Sequence, residues 1–340
     1  MLNTVYRLTA SRTIEPVVVS QDTTGKVIVR PTYLSICNAD QRYYQGTRSK
    51  EVLAKKLPMA LIHEGIGRVV SDSTGVFQPG DVVVMLPNAP TEQDEFIAEN
   101  YLRSSRFCGS GFDGFMQESM ILPPERVVLL PQDVNCEVAA FTELVSVATH
   151  AISRFDKIAH GRRDRIGVWG DGNMGYIVSL LLHTSYPDAK IVVFGRNESK
   201  LHDFTFADET HLVDDVSGVE LVDHAFECAG GEGSVAAIEQ IIDRINPEGT
   251  VSLLGVSENN VPINTRMVLE KGLRLFGSSR SGREDFEATV QLYHEHPEVL
   301  DYLAALVCSV NEARQISDIT AAFEADIRKP MGKTVIRWNM

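Results

Sequence analysis

Four side chains in the first half of the chain have the chemistry of metal ligands. Cys37 lies in Ser35-Ile36-Cys37-Asn38-Ala39-Asp40, His63 and Glu64 adjoin in Leu61-Ile62-His63-Glu64-Gly65, and Glu143 lies in Phe141-Thr142-Glu143-Leu144. A thiolate, an imidazole and carboxylate oxygens are suitable donors to Zn²⁺, and a catalytic zinc keeps one coordination position open for substrate. Taken singly, each residue also has an ordinary structural reading: a thiol packed behind a strand, a His–Glu surface pair, a carboxylate at a helix N-terminus.

A second group of residues points to a dinucleotide. Gly170-Asp171-Gly172-Asn173-Met174-Gly175 follows the apolar run Arg165-Ile166-Gly167-Val168-Trp169 and opens a helix-like stretch. The glycines Gly170, Gly172 and Gly175 stand where a tight turn, a bare backbone facing a pyrophosphate and close helix–strand packing are needed. An Asp or Glu closing the next strand would bind a ribose 2′-hydroxyl and disfavour a 2′-phosphate. This chain has Gly195 there, then Arg196, with Lys200 one helical turn on. The sign of the local charge favours NADPH over NADH. Ala229-Gly230 and Gly255-Val256-Ser257 each follow a strand C-terminus, where dinucleotides lie, and are further candidate contacts.

The elements that must hold these residues change character along the chain. Short strands broken by turns are expected at 26–31, 65–71, 81–86 and 126–130, which makes a β-rich, barrel-like unit. From about residue 138 the spacing of Ala139, Ala140, Leu144, Val147, Ala148 and Ile152 predicts one long helix. Beyond it come strand 166–169, helix 173–185, strand 190–194, a short helix 198–204, strand 222–226, helix 232–244 and strands 250–255 and 273–277. That alternation predicts an α/β fold with a doubly wound parallel sheet, a Rossmann domain. Segment 283–294, helices near 299–306 and 319–327 and a last strand 333–338 complete the chain, with the tail returning to the first domain. The expected division is 1–150 for the zinc domain, 151–280 for the NADP-binding Rossmann domain and 281–340 for the returning segment.

Composition excludes several classes of function. At 340 residues and 44% apolar the chain can bury large cores, and its net charge of −14 opposes general attraction to nucleic acid or anionic lipid. No run approaches the length of a membrane span and no signal segment opens the chain, so a cytoplasmic location is expected. The five cysteines, Cys37, Cys108, Cys136, Cys228 and Cys308, are odd in number and widely spaced, as suits reduced thiols.

Together these features resemble the zinc-dependent medium-chain alcohol and polyol dehydrogenases over essentially the whole chain. The resemblance rests on Cys37 and Asp40 in one turn, His63-Glu64-Gly65, Pro79-Gly80-Asp81 before Val82-Val83-Val84, Glu143 entering a long helix, and the glycine fingerprint. It implies a GroES-like catalytic domain, with Cys37, His63 and Glu143 as ligands of one catalytic Zn²⁺ and Glu64 able to join or exchange with them. Stretches such as 35–44, 61–65, 226–231 and Gly277-Ser278-Ser279-Arg280-Ser281-Gly282 are similar to one subfamily, the ribulose-5-phosphate reductases. That similarity implies reduction of D-ribulose 5-phosphate to D-ribitol 5-phosphate with NADPH, supplying CDP-ribitol for teichoic acid or capsule polymers. It further implies a homodimer, a functional pairing with a ribitol-5-phosphate cytidylyltransferase, and Ser278 and Arg280 beside the nicotinamide. Another NADP-dependent polyol or polyol-phosphate dehydrogenase, and a non-catalytic NADPH-binding protein that kept the fold, stand as alternatives.

Two departures from the broader family pattern bear on the chemistry. Residues 88–114 contain only Cys108 where a structural zinc needs four cysteines, so no structural zinc is expected and packing must hold that lobe. Ala39 replaces a Ser or Thr that passes a proton in many relatives, and a water organised by Glu64 is expected to take over. For the substrate phosphate, Arg42, Arg48, Lys50, Lys55 and Lys56 stand against the single anion Glu51, with Arg42 favoured and Arg280 a second candidate.

Overall fold

A computed structural model describes residues 1–340, which divide into two compact units. One comprises Met1–Ser146 with Ser281–Met340, the other Val147–Arg280.

The first unit is built on a sheet in which Val127–Leu129, Val82–Met85, Glu64–Asp72, Val27–Ser35, Lys333–Trp338 and Val307–Ala313 lie side by side in that order. All neighbours run antiparallel except the last pair, Val307–Ala313 and Lys333–Trp338, which is parallel. Alternation of β-branched residues with polar ones drives these strands, and Val27, Val29, Val69, Val83 and Ile336 point into one apolar core. The register is the decisive feature. Ser35 pairs with Glu64 in one direction and with Val335 in the other, so the end of Val27–Ser35 meets the starts of Glu64–Asp72 and Lys333–Trp338. Gly65 permits this close approach, because a Cβ there would stand 2.5 Å from Leu34 Cδ2. A hairpin of Leu2–Ala10 and Thr13–Ser20, which the sequence reading had not assigned, closes the unit through a short bridge to Met59–Ala60.

The second unit carries six parallel strands in the order Glu209–Leu212, Lys190–Gly195, Arg165–Trp169, Val222–Glu227, Ile245–Leu253, Arg274–Gly277. This is the doubly wound order with its switch point beside the first strand. The helices Asn173–Ser185 and Gly233–Arg244 cover it, burying Ile177, Leu181, Ile238 and Ile241.

Several boundaries differ from expectation for local reasons. The long helix predicted from residue 138 is two, Cys136–Ala139 and Thr142–Ile158, and the Asn135 side chain caps the first by accepting from the amides of Glu137 and Val138. The strand expected at 250–255 begins at Ile245 and ends at Leu253, which leaves Gly255 and Val256 in the loop beyond it. The short helix after Arg196 stops at Leu201.

Candidate active site

Three strand ends converge on one group of donors. Cys37 lies two residues past Val27–Ser35, and His63 and Glu64 open Glu64–Asp72. Their ligand atoms all lie within 4.8 Å of one another, with His63 and Glu64 buried. Cys37 is the N-cap of helix Asn38–Tyr44, and Asp40 closes the turn: its Oδ2 accepts from the Cys37 amide at 3.0 Å and its Oδ1 from the Ile62 amide at 2.9 Å. The same Oδ1 lies 3.6 Å from His63 Nδ1, which leaves Nε2 as the ring nitrogen for a metal. Burial works to discharge His63, but the charges of Asp40 and Cys37 outweigh it and hold the imidazole well above its usual range.

Glu64 has a partner that sequence reasoning missed. Lys333, first residue of the last strand and itself buried, places Nζ 2.8 Å from Glu64 Oε1 and 2.7 Å from Oε2, and also donates to the Ile36 carbonyl at 3.0 Å. Glu64 is therefore a buried carboxylate fixed in place by Lys333. Nothing in the local sequence marks Lys333; only its register opposite the Cys37 turn does. Glu143 opens helix Thr142–Ile158 and is buried, but it stands outside the 4.8 Å donor group. Burial foremost, with Glu64 and Asp40 adding to it against the opposing charges of His63 and Lys333, pushes the Glu143 carboxyl up to about 7.

The loop in which no structural zinc is expected is held by an ion pair and hydrogen bonds. Arg126 donates to both oxygens of Glu99, at 2.8 and 3.0 Å, and to the Asn88 carbonyl, while the Arg283 amide also reaches Glu99. The ring of Phe107 in this loop lies 5.3 Å from that of His63. The Cys108 thiol is pushed up to about 12 by burial, as suits a packed residue.

In the second unit, a cleft of about 610 Å³ opens at the switch point. Gly170, Gly172, Gly195, Arg196, Lys200 and Ala229 line it among the residues singled out from sequence. Gly170 has φ 138°, and a Cβ on Gly175 would fall 1.9 Å from the Gly170 carbonyl oxygen, so both glycines are required by the turn. Gly172 caps helix Asn173–Ser185, has open space where a side chain would be and lines the cleft, so that helix starts at the edge of the cleft. Asn173, Met174 and Gly175 form the first turn of the helix. At Gly195 a Cβ would stand 2.8 Å from that of Asp171, whose Oδ2 accepts from the Arg196 and Asn197 amides at 2.7 and 2.8 Å. An acidic side chain at position 195 has no room.

Glu227, a second missed residue, is buried at the end of its strand and joins two loops. Its Oε1 accepts from the Ala229 and Gly230 amides and from Ser234, and its Oε2 from the Gly255 amide at 3.0 Å. A carboxylate ending a buried parallel strand was the signal available in sequence. Gly230, Gly255 and Val256 do not line the cleft; the first two are held by this carboxylate, and the Val256 carbonyl accepts from the Gly231 amide. Ser278 and Arg280 follow the edge strand Arg274–Gly277, with Arg280 in the left-handed region at φ 60°. Arg42 lies in the last turn of helix Asn38–Tyr44.

The chain matches two family models: the alcohol dehydrogenase GroES-like domain over residues 23–132 and the zinc-binding dehydrogenase over residues 186–295. It is 56% identical to the ribulose-5-phosphate reductase of Bacillus spizizenii and 52% identical to ribulose-5-phosphate reductase 1 of Staphylococcus aureus, with 100% of both chains covered in each case. The chain belongs to the zinc-binding alcohol dehydrogenase family. Among solved structures, S. aureus TarJ in complex with NADPH superposes with a TM-score of 0.90 at 48% identity, again over 100% of both chains. L-idonate 5-dehydrogenase of Escherichia coli, at 20% identity and a TM-score of 0.85, shows the same fold over 99% of this chain and 98% of its own. In this dehydrogenase, then, the GroES-like unit carries the Cys37, His63 and Glu64 group and the Rossmann unit carries the cleft at the glycine turn.

Proposed function

We propose that this chain is a zinc-dependent reductase that converts D-ribulose 5-phosphate to D-ribitol 5-phosphate with NADPH. The observation that carries the reading is the convergence of Cys37, His63 and Glu64 within 4.8 Å, in a chain 56% identical over its whole length to a ribulose-5-phosphate reductase. The donor set fits Zn²⁺: one thiolate, one imidazole and one carboxylate, with Glu143 adjacent. When bound, zinc supplies a Lewis acid that polarises a ketone oxygen.

The chain's own residues do the rest. Asp40 fixes the His63 ring and the Cys37 turn, and Lys333 balances the charge of Glu64 so that the thiolate and carboxylate do not stand as unopposed anions. The amides that open Asn173–Ser185 receive the pyrophosphate, and Arg196 with Lys200 receives the ribose 2′-phosphate, with no carboxylate at position 195 to oppose it. The phosphorylated end of the ketose orients the carbonyl, so binding energy remote from the reacting carbon assists turnover. Its product is of the kind a ribitol-5-phosphate cytidylyltransferase consumes on the way to CDP-ribitol, which supports a role in teichoic acid or capsule supply.

The open edge at Arg274–Gly277, with Leu269 81% exposed nearby, supports pairing of two copies as a homodimer. No helix is long and apolar enough to cross a membrane, in keeping with a cytoplasmic enzyme. The test is steady-state oxidation of NADPH, and separately NADH, by D-ribulose 5-phosphate before and after chelation. NADPH-dependent turnover that chelation abolishes and Zn²⁺ restores is expected. Turnover that survives metal removal, or that is equal with NADH, overturns the reading.

A further inference from the structure

Lys56 ends the helix Lys50–Lys56 and is half-buried, yet both of its hydrogen-bond partners are neutral hydroxyls. Its Nζ donates to Tyr43 Oη at 3.0 Å and to Ser110 Oγ at 2.8 Å. Tyr43 is buried, and the Arg48 guanidinium lies 5.1 Å from its ring centroid, while the Lys56 ammonium meets it at the hydroxyl edge. An ammonium has three protons and spends two here. Each hydroxyl, having accepted from the lysine, keeps its own proton to donate. Two O–H groups and one N–H thus converge beside a second cation, the arrangement that receives a multiply charged oxyanion.

The node adjoins the metal donors within the same unit. The turn that carries Ser110 also carries Phe107, packed on the His63 ring, and Gly109, whose Cβ position lies 3.5 Å from His63 Nδ1. Ser110 is therefore one residue, about 4 Å of backbone, from the His63 contact. Tyr43 is six residues along the helix that Cys37 caps, roughly 9 Å of axial rise. In a 2-ketose 5-phosphate, five bonds of about 1.5 Å separate the carbonyl carbon from phosphorus, so the phosphate lies roughly 6 Å beyond the carbonyl. A group that seats this phosphate must therefore lie near the donors, as a node on the turn that borders His63 does.

We infer that Lys56, with the hydroxyls of Tyr43 and Ser110 and the guanidinium of Arg48, seats the phosphate of the sugar substrate. This assignment rests on the ketose-phosphate reading, and it moves the phosphate site from Arg42 and Arg280 to the next side chain on the same helix and its partners. It makes Lys56 a specificity residue: a phosphorylated and a plain ketose differ only at the end it touches.

The experiment compares kcat/KM for D-ribulose 5-phosphate and D-ribulose, with NADPH, in the zinc-loaded full-length enzyme, its Lys56→Met variant and, as a neighbour control, Lys55→Met. The preference for the phosphorylated sugar should fall at least tenfold in Lys56→Met, recover in part in Lys56→Arg, and stay at the parent value in Lys55→Met. Inorganic phosphate, followed calorimetrically, should bind the parent and bind Lys56→Met at least tenfold more weakly. An unchanged preference, or equal losses on both sugars as expected of a lysine that only ties the loop, overturns the assignment. A parent enzyme with no preference for the phosphorylated sugar instead removes the substrate reading. In that case the phosphate titration alone decides whether the node is an anion site.

Discussion

His224 should make the stability of the Rossmann unit fall with pH on the acid side of neutrality. The residue is fully buried in the strand Val222–Glu227. Its Nε2 faces the carbonyls of His160 and Arg162 at 3.2 and 3.0 Å, and its Nδ1 accepts from the Thr250 amide at 3.2 Å. Nε2 therefore carries the proton, and a second proton on Nδ1 would face an N–H donor. Burial first, then the neighbouring His160 ring with its centroid 4.3 Å away, pushes the imidazole down to about 4 from its usual 6.5. Below pH 6.5 the unfolded chain takes up a proton that the folded one refuses, so stability falls as pH drops and levels off below pH 4. A gap of that size corresponds to about 3 kcal/mol in all, of which about 2 kcal/mol is lost between pH 7.5 and pH 5. Glutamine at this position can donate to the same carbonyls and accept from Thr250 without titrating. Denaturant unfolding of the parent and His224→Gln across pH 4 to 8 isolates the effect, since other groups cancel in the difference. The parent should lose about 2 kcal/mol more than the variant between pH 7.5 and pH 5. Parallel profiles would refute the argument that burial and the His160 ring hold His224 neutral against the pull of its two carbonyls.

Lys333→Met, assayed in metal-stripped protein by thermal melting, should lose about 3–5 kcal/mol because Glu64 is left as a buried charge without its cation. Adding Glu64→Gln should recover much of that loss, and a double variant that is simply additive argues against a coupled pair. Gly175→Ala should abolish NADPH binding, measured by fluorescence titration, since its Cβ would fall 1.9 Å from the Gly170 oxygen and force the phosphate turn open; retained affinity contradicts the packing argument.

The Rossmann unit was legible in sequence because its signals are local. Alternating apolar strands and helices, a glycine turn before Asn173–Ser185, and Gly195 followed by Arg196 each express a constraint felt within a few residues. The helix 173–185 and the last strand 333–338 emerge with the boundaries expected of them. The N-terminal hairpin went unread because its strand pattern carries exposed and half-buried positions on both faces, and the break at 140–141 because apolar spacing runs unbroken through it.

What the sequence determined by itself is therefore the menu of chemistry: a thiol, an imidazole and carboxylates of the kind zinc takes, and a turn that accepts a dinucleotide phosphate. The tertiary structure decided which of these groups meet. Antiparallel register sets Ser35 against both Glu64 and Val335, and so brings Lys333 to Glu64 across 269 residues of chain. The same packing lays the loop after Asn88 over His63 and joins Lys56 to Ser110. No local pattern encodes those pairings, because a buried charge is tolerated only where its partner arrives from another strand, and that arrival is a property of the folded sheet.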